Sequence, residues 1–137
     1  MRGPQPYFID SGGWIALAIE GDPYHLRAKD RWKQLDADGG KRFTSIPVIL
    51  ETFTFLDRNT NRQIALLWKK ELFKLRQLVI LECLLRDMEN AWTWFTRKDL
   101  HKLSAVDATS FALMERHKIS RVFTFDTHFA IAGFNIL

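Results

Sequence analysis

Short apolar runs alternate along the chain with longer stretches in which apolar residues recur every three to four positions. This pattern predicts strands feeding into helices. Tyr7-Phe8-Ile9-Asp10 is apolar up to its last residue and meets Ser11-Gly12-Gly13. It predicts a buried strand opening into a helix that continues over Trp14–Glu20 until Gly21-Asp22-Pro23 stops it. A second helix starts at Pro23, directs Leu26, Trp32 and Leu35 inward, and ends near Asp38-Gly39-Gly40. Arg42–Ser45 predicts the second strand. Ser45, just ahead of Pro47 in the first turn, starts a third helix running to about Asp57. From about Asn61 to Arg76 an amphipathic helix carries Ile64, Leu67, Trp68 and Leu72 on one side and Lys69, Lys70 and Lys74 on the other.

Leu78–Glu82 is strand-like, and Leu84–Arg97 is helical with Met88, Trp92 and Phe95 at helical spacing. Ser104 caps a helix reaching about His117. Arg121–Phe125 is a strand, Asp126–Ala132 a turn or short helix, and Phe134–Leu137 a closing edge strand. Strands alternating with helices imply parallel βαβ units in a layered α/β sheet. There is no internal repeat, low-complexity tract or linker, so residues 1–137 are expected to form one domain.

Four acids interrupt this apolar pattern where stability alone would not place them: Asp10, Glu51, Asp107 and Asp126. A carboxylate is almost never buried without a partner, because desolvating its charge costs several kcal/mol. Four converging in one cleft would repel each other unless a cation lay between them. Oxygen ligands without cysteine or histidine favour Mg²⁺ or Mn²⁺ over zinc. Asp10 and Asp126 follow strands, at the end of a parallel sheet where ligands bind, although each could instead cap the element after it. Ser104-Ala105-Val106-Asp107 has the spacing of a capping box, which would hold Asp107 rigid at a helix mouth. Glu51 is the only acid of its helix before Asp57 and faces either a crevice or solvent.

Composition narrows the chemistry. The 47% apolar share, with eleven Phe and five Trp, implies a filled globular interior. Twenty Lys and Arg against sixteen Asp and Glu give a net charge of +4, a weak nucleic-acid signal that strengthens if four of the acids are held on metal. Cys83 is the sole cysteine, so an internal disulfide or cysteine zinc site is excluded and a reducing cytoplasm is expected. No stretch approaches a membrane span, and Met1-Arg2-Gly3-Pro4-Gln5-Pro6 lacks the apolar run of a signal peptide. No Gly-rich phosphate loop occurs. His25, His101, His117 and His128 lack ligand spacing, and His128 reads as an ordinary turn histidine.

In order, Phe8-Ile9-Asp10-Ser11-Gly12-Gly13-Trp14, Thr44-Ser45 followed by the apolar helix bearing Glu51, Ser104 through Met114, and Thr124-Phe125-Asp126-Thr127-His128-Phe129 resemble the PIN domain, and within it the VapC-like toxin ribonucleases. The resemblance implies a three-layer α/β/α fold around a parallel sheet of about five strands. It implies a metal-dependent endoribonuclease whose Mg²⁺ or Mn²⁺ is held by Asp10, Glu51, Asp107 and Asp126. A small antitoxin partner and a homodimer also follow from it. A Ser or Asn often stands two residues after the first Asp in this family; here that place is Gly12, and Ser11 or Thr124 is expected to supply the hydroxyl. Leu66, Leu67, Trp68, Phe73, Trp92, Trp94 and Phe95 are more apolar surface than one sheet face covers, which points to an interface. Two further readings stay open: a PIN nuclease of rRNA or tRNA maturation without an antitoxin, and a non-catalytic interaction module.

Overall fold

The computed structural model describes residues 3–137; Met1 and Arg2, the first part of the polar lead-in, lie outside the described residues. Five strands, β1 (Tyr7–Ile9), β2 (Arg42–Ser45), β3 (Leu78–Leu81), β4 (Arg121–Phe123) and β5 (Asn135–Ile136), pair in the order β3-β2-β1-β4-β5. Every pairing is parallel, with Tyr7 opposite both Arg42 and Arg121 and Ile9 opposite Phe123. The connections run through helices α1 (Ser11–Ala18), α2 (His25–Asp38), α3 (Ile46–Asn59), α4 (Arg62–Leu72), α5 (Leu85–Trp94) and α6 (Ala105–Arg116), with a short α7 (His128–Ile131).

The chain adds strands outward from β1 to β3, then returns to place β4 on the other side of β1. Right-handed crossovers therefore put α1–α4 on one face and α5–α6 on the other. Contacts of α1 with α2 and α3, of α3 with α4, and of α5 with α6 agree with that three-layer division. Ligand sites in such sheets lie where the strand order reverses, here between the carboxyl ends of β1 and β4.

Aromatic side chains fill the two interlayer spaces. Trp14 packs against Trp32 and Trp68 with ring centroids about 6 Å apart, and Phe111 meets Trp94, Phe129 and Phe134. Gly13 has no room for a side chain: a Cβ there would lie 2.2 Å from the Phe123 ring, so α1 approaches β4 as closely as glycine permits. Ser45 caps α3, its Oγ accepting from the Val48 N–H at 3.2 Å.

Several expected faces turn out differently. Leu26 is 74% exposed, and α2 is seated by Ala28 and Leu35 with Trp32 half-buried. In α4 the buried positions are Ala65 and Leu72, while Ile64 and Leu67 are exposed. In α5 they are Asp87 and Ala91, while Met88, Trp92 and Phe95 face solvent. Small or polar residues at the closest approach let these helices sit near their neighbours, and the larger side chains are left at the flanks. Apolar spacing alone does not distinguish that arrangement from an inward-facing stripe. The expected strand over Arg121–Phe125 ends at Phe123, because Thr124 and Asp126 are drawn into side-chain hydrogen bonds at the sheet edge. No helix of the described residues is long and apolar enough to cross a membrane.

Candidate metal centre

Asp10 immediately follows β1 and is 2% exposed. Its Oδ2 accepts from the Thr124 hydroxyl at 2.9 Å, while its buried Oδ1 has no partner among the described residues. Burial pushes its pKa up to about 6; hydrogen bonds from Thr124 and the Ser11 backbone only partly offset that, and Glu51 and Asp126 raise it further. Asp107 lies in the first turn of α6 and is also buried. Burial, the Asp10 carboxylate and the adjoining Asp126 carboxyl push its pKa up to about 9, with a further contribution from Glu51.

The Ser104 Oγ caps α6 by accepting from the Asp107 N–H at 3.0 Å. Among the described residues the Asp107 carboxylate makes no return bond to Ser104, so the expected capping box is half formed and that carboxylate faces the other acids. Asp126 stands after β4. Burial opposes its ionisation, but hydrogen bonds from Asp107 and from the backbone and ring of His128 outweigh that and hold its pKa below the usual value. Glu51 projects from α3, half-buried, and its Oε1 accepts from the Ser11 Oγ at 2.5 Å. The contact between α3 and α6 brings Glu51 towards Asp107, so Glu51 faces the crevice.

Thus four acids from α1's N-cap, α3, α6 and the β4–α7 turn share one electrostatic environment. The two hydroxyls expected to stand in near Gly12 each hold a different carboxylate, Thr124 on Asp10 and Ser11 on Glu51. A Cβ on Gly12 would lie 3.5 Å from the Thr124 Oγ1 and 3.7 Å from the Asp10 Oδ2, so a side chain at this position would reach the same pocket.

Asp107, Asp126 and His128 form a ligand-capable group, their donor atoms within 4.8 Å of one another. His128 is therefore more than a turn residue. Its Nδ1 lies 2.7 Å from the Asp126 Oδ1 and its Nε2 2.5 Å from the His101 carbonyl oxygen. Both neighbours are acceptors, which favours the doubly protonated ring, and its pKa is raised accordingly, chiefly by the His101 carbonyl. Only the two-residue offset from Asp126 hinted at this contact in the sequence. An orphaned buried carboxylate oxygen and the mutual repulsion of the acids around Asp107 are what a hard divalent cation would relieve, so the donor set fits one.

Beside the acids lies a groove of about 950 Å³, bounded by Ile46, Leu50 and Phe55 of α3, by Leu84 and by Val106, with Glu51 at its acidic end. Sequence periodicity gave no sign of it, because it is formed between helices far apart in the chain.

Residues 7–135 match the PIN domain family. The chain is 36% identical over 128 residues to the 23S rRNA-specific endonuclease VapC20 of Mycobacterium tuberculosis, strains CDC 1551 / Oshkosh and H37Rv, covering 93% of this chain and 94% of the relative. It superposes on the crystal structure of Mycobacterium tuberculosis VapC20, a sarcin-ricin loop cleaving toxin, with a TM-score of 0.83 and 32% identity, over 93% of this chain and 95% of that one. DNA-bound VapBC2 from Rickettsia felis (TM-score 0.71, 10% identity, 97% and 98% coverage) and DNA-bound VapBC from Salmonella typhimurium (0.69, 14%, 97% of each) share the fold. The ordered motifs, the five-stranded parallel sheet and the extent of these matches agree: the chain belongs to the PIN-domain family.

Proposed function

We propose that the chain is a divalent-metal-dependent endoribonuclease, the cytoplasmic toxin of a toxin–antitoxin pair, with Mg²⁺ or Mn²⁺ held by Asp10, Glu51, Asp107 and Asp126. The observation that carries this reading is the pair Asp10 and Asp107: both are buried, among the described residues no Lys or Arg pairs with either, and both face further acids. A binding module gains nothing from such repulsion. A bound cation would supply Lewis acidity and a lowered water pKa at the scissile phosphate.

The residues' own part is to hold that geometry. Thr124 fixes Asp10 and Ser11 fixes Glu51. His128, braced on the His101 carbonyl, orients Asp126. Partners of this kind, one shell out, typically contribute 10–100-fold to metal affinity or activity. VapC20 is named for 23S rRNA and for the sarcin-ricin loop, so that loop is the first RNA to test. Cleavage of a sarcin-ricin loop oligonucleotide should occur with Mg²⁺ or Mn²⁺ and stop with EDTA or in Asp10→Asn. Cleavage surviving both would refute the metal-centred reading.

The groove ending at Glu51 is suited to a segment of the antitoxin. Its exposed Leu50, Phe55 and Leu84 would seat apolar side chains, and an arginine reaching the acids would pair with them bidentately. Two structural neighbours are VapBC structures, although at their identity they share only the fold with this chain. Exposed Leu66, Leu67 and Phe73, and Trp92 and Phe95 on α5, supply apolar surface for a homodimer. Light scattering at micromolar concentration should give twice the 16.1 kDa chain mass; a monomer would remove the dimer.

A further inference from the structure

The turn that carries Asp126 also carries Phe125, whose ring leaves the sheet edge towards the start of α2. There it stacks on Tyr24, with centroids 4.5 Å apart and planes within 6° of parallel. The guanidinium of Arg27 lies 5.6 Å from the Tyr24 ring centre and 5.8 Å from that of Phe125. We infer that Tyr24, Phe125 and Arg27 form a nucleotide platform at the mouth of the acidic pocket, on which an unpaired base of the RNA stacks while Arg27 takes an adjoining phosphate. This rests on the ribonuclease reading and adds to it the residues that grip the strand beside the reacting phosphate.

Three observations carry it. The first is position: Phe125 lies between Thr124, which bonds Asp10, and Asp126, and its backbone nitrogen would be 3.7 Å from a Cβ on Gly12. The platform therefore stands on the same turn as Asp126, beside the acids. The second is preorganisation. The Tyr24 N–H donates to the Asp22 Oδ1 at 2.8 Å, the Tyr24 carbonyl accepts from Ala28 at 2.8 Å, and Phe125 rests edge-on against Phe123 of the core. The stack is thus held in place before a ligand arrives. The third is that the platform is open and carries unspent charge. Tyr24 is 42% exposed and Arg27 exposed, and among the described residues no carboxylate pairs with Arg27. An aromatic face with an adjoining cation suits the π-face and phosphate of a single strand, without requiring a particular base. At the end of α5 the Arg97 guanidinium lies 5.4 Å from the Trp94 ring centre, but there Asp99 already holds it, at 3.0 and 2.6 Å.

The test is binding of a fluorescent single-stranded RNA oligonucleotide, followed by anisotropy in an Asp10→Asn protein so that cleavage does not interfere. Adding Tyr24→Ala should weaken binding roughly tenfold, and Tyr24→Phe, which keeps the stack, should restore it. Adding Arg27→Ala should reduce the slope of log affinity against log salt by about 0.7, one phosphate contact on a single strand. In the cleaving protein the Tyr24→Ala change should fall on KM rather than kcat. Equal affinity of the Tyr24→Ala and parent proteins, with only the melting temperature lowered, would make the stack a packing device and overturn the platform. A parent protein that binds the oligonucleotide through Tyr24 yet cleaves no RNA without the Asp10 change would instead refute the nuclease reading and leave the platform standing.

Discussion

Asp87 and Asp10 are the same residue at almost the same depth, and the fold treats them in opposite ways. Asp87 is wholly buried at the start of α5. Burial opposes its charge, yet the Arg116 guanidinium meets both carboxylate oxygens at 2.7 and 2.9 Å and the Leu84 N–H donates to it, so its pKa ends below the usual value. Among the described residues Asp10 has only hydroxyl and backbone donors and is faced by further acids, so its pKa ends well above. Burial therefore does not tell a structural carboxylate from a reactive one; the sign of what faces it does. Asp87 ties α5 to α6 and is complete as it stands, whereas the acids around Asp10 repel one another, which a cation would relieve.

That contrast breaks most sharply in activity. Asp10→Asn or Asp107→Asn should reduce RNA cleavage by more than the roughly 10–100-fold that follows loss of an outer-shell partner. The loss should come with unfolding stability unchanged or increased, because each substitution removes a repulsion. Turnover measured with cleaved oligonucleotide, alongside urea unfolding, checks both halves. An active, destabilised mutant would put the two acids in the class of Asp87.

Asp87→Ala should do the reverse, costing about 2–4 kcal/mol in urea unfolding while the cleavage rate of the remaining folded protein holds. It leaves Arg116 without its partner, although the arginine's partial exposure softens the penalty. Next in size is the metal. Mg²⁺ or Mn²⁺ at 100 times its dissociation constant should add about 2.7 kcal/mol, read as a rise in Tm, and Asp10→Asn should abolish that rise. A Tm indifferent to both ions would count against the cation altogether.

A further effect is the pH dependence of the metal-free protein. The Asp107 pKa is pushed from 3.8 to about 9 and that of Asp10 from 3.8 to about 6, so the folded state holds protons that the unfolded chain has released. The associated stability is present below pH 4 and lost as pH rises, through about 6 for Asp10 and about 9 for Asp107. Asp126 and Asp87, with lowered pKa values, change stability at lower pH and do not oppose this trend above it. A Tm series from pH 5 to 9 in EDTA should fall steadily, and fall less steeply in Asp107→Asn. A flat wild-type series would mean that Asp107 is not protonated in the folded protein.

The strands and most helices were legible because their signals are local. Arg42–Ser45 occupies its expected span, and Ser45 and Ser104 cap the helices they were expected to cap. The four acids could be picked out because charge inside apolar sequence needs a reason, and their order matches a family pattern. Nothing local separated Asp87 from an ordinary exposed helix acid: its reason for burial, Arg116, lies 29 residues away. His128 looked like a turn residue for a similar cause, since its brace on His101 is 27 residues distant.

What the sequence determined by itself is the alternation of elements, the helix starts and the identity of the candidate ligands. These depend on hydrophobic period, capping chemistry and unusual placement of charge, all readable within a few residues. The tertiary structure decided which side chains are partnered, which faces of α4 and α5 remain open, and that Tyr24 meets Phe125. Those outcomes depend on chain segments that become neighbours only when β4 returns beside β1, because electrostatic and stacking energies fall steeply with distance in space and are indifferent to separation along the chain.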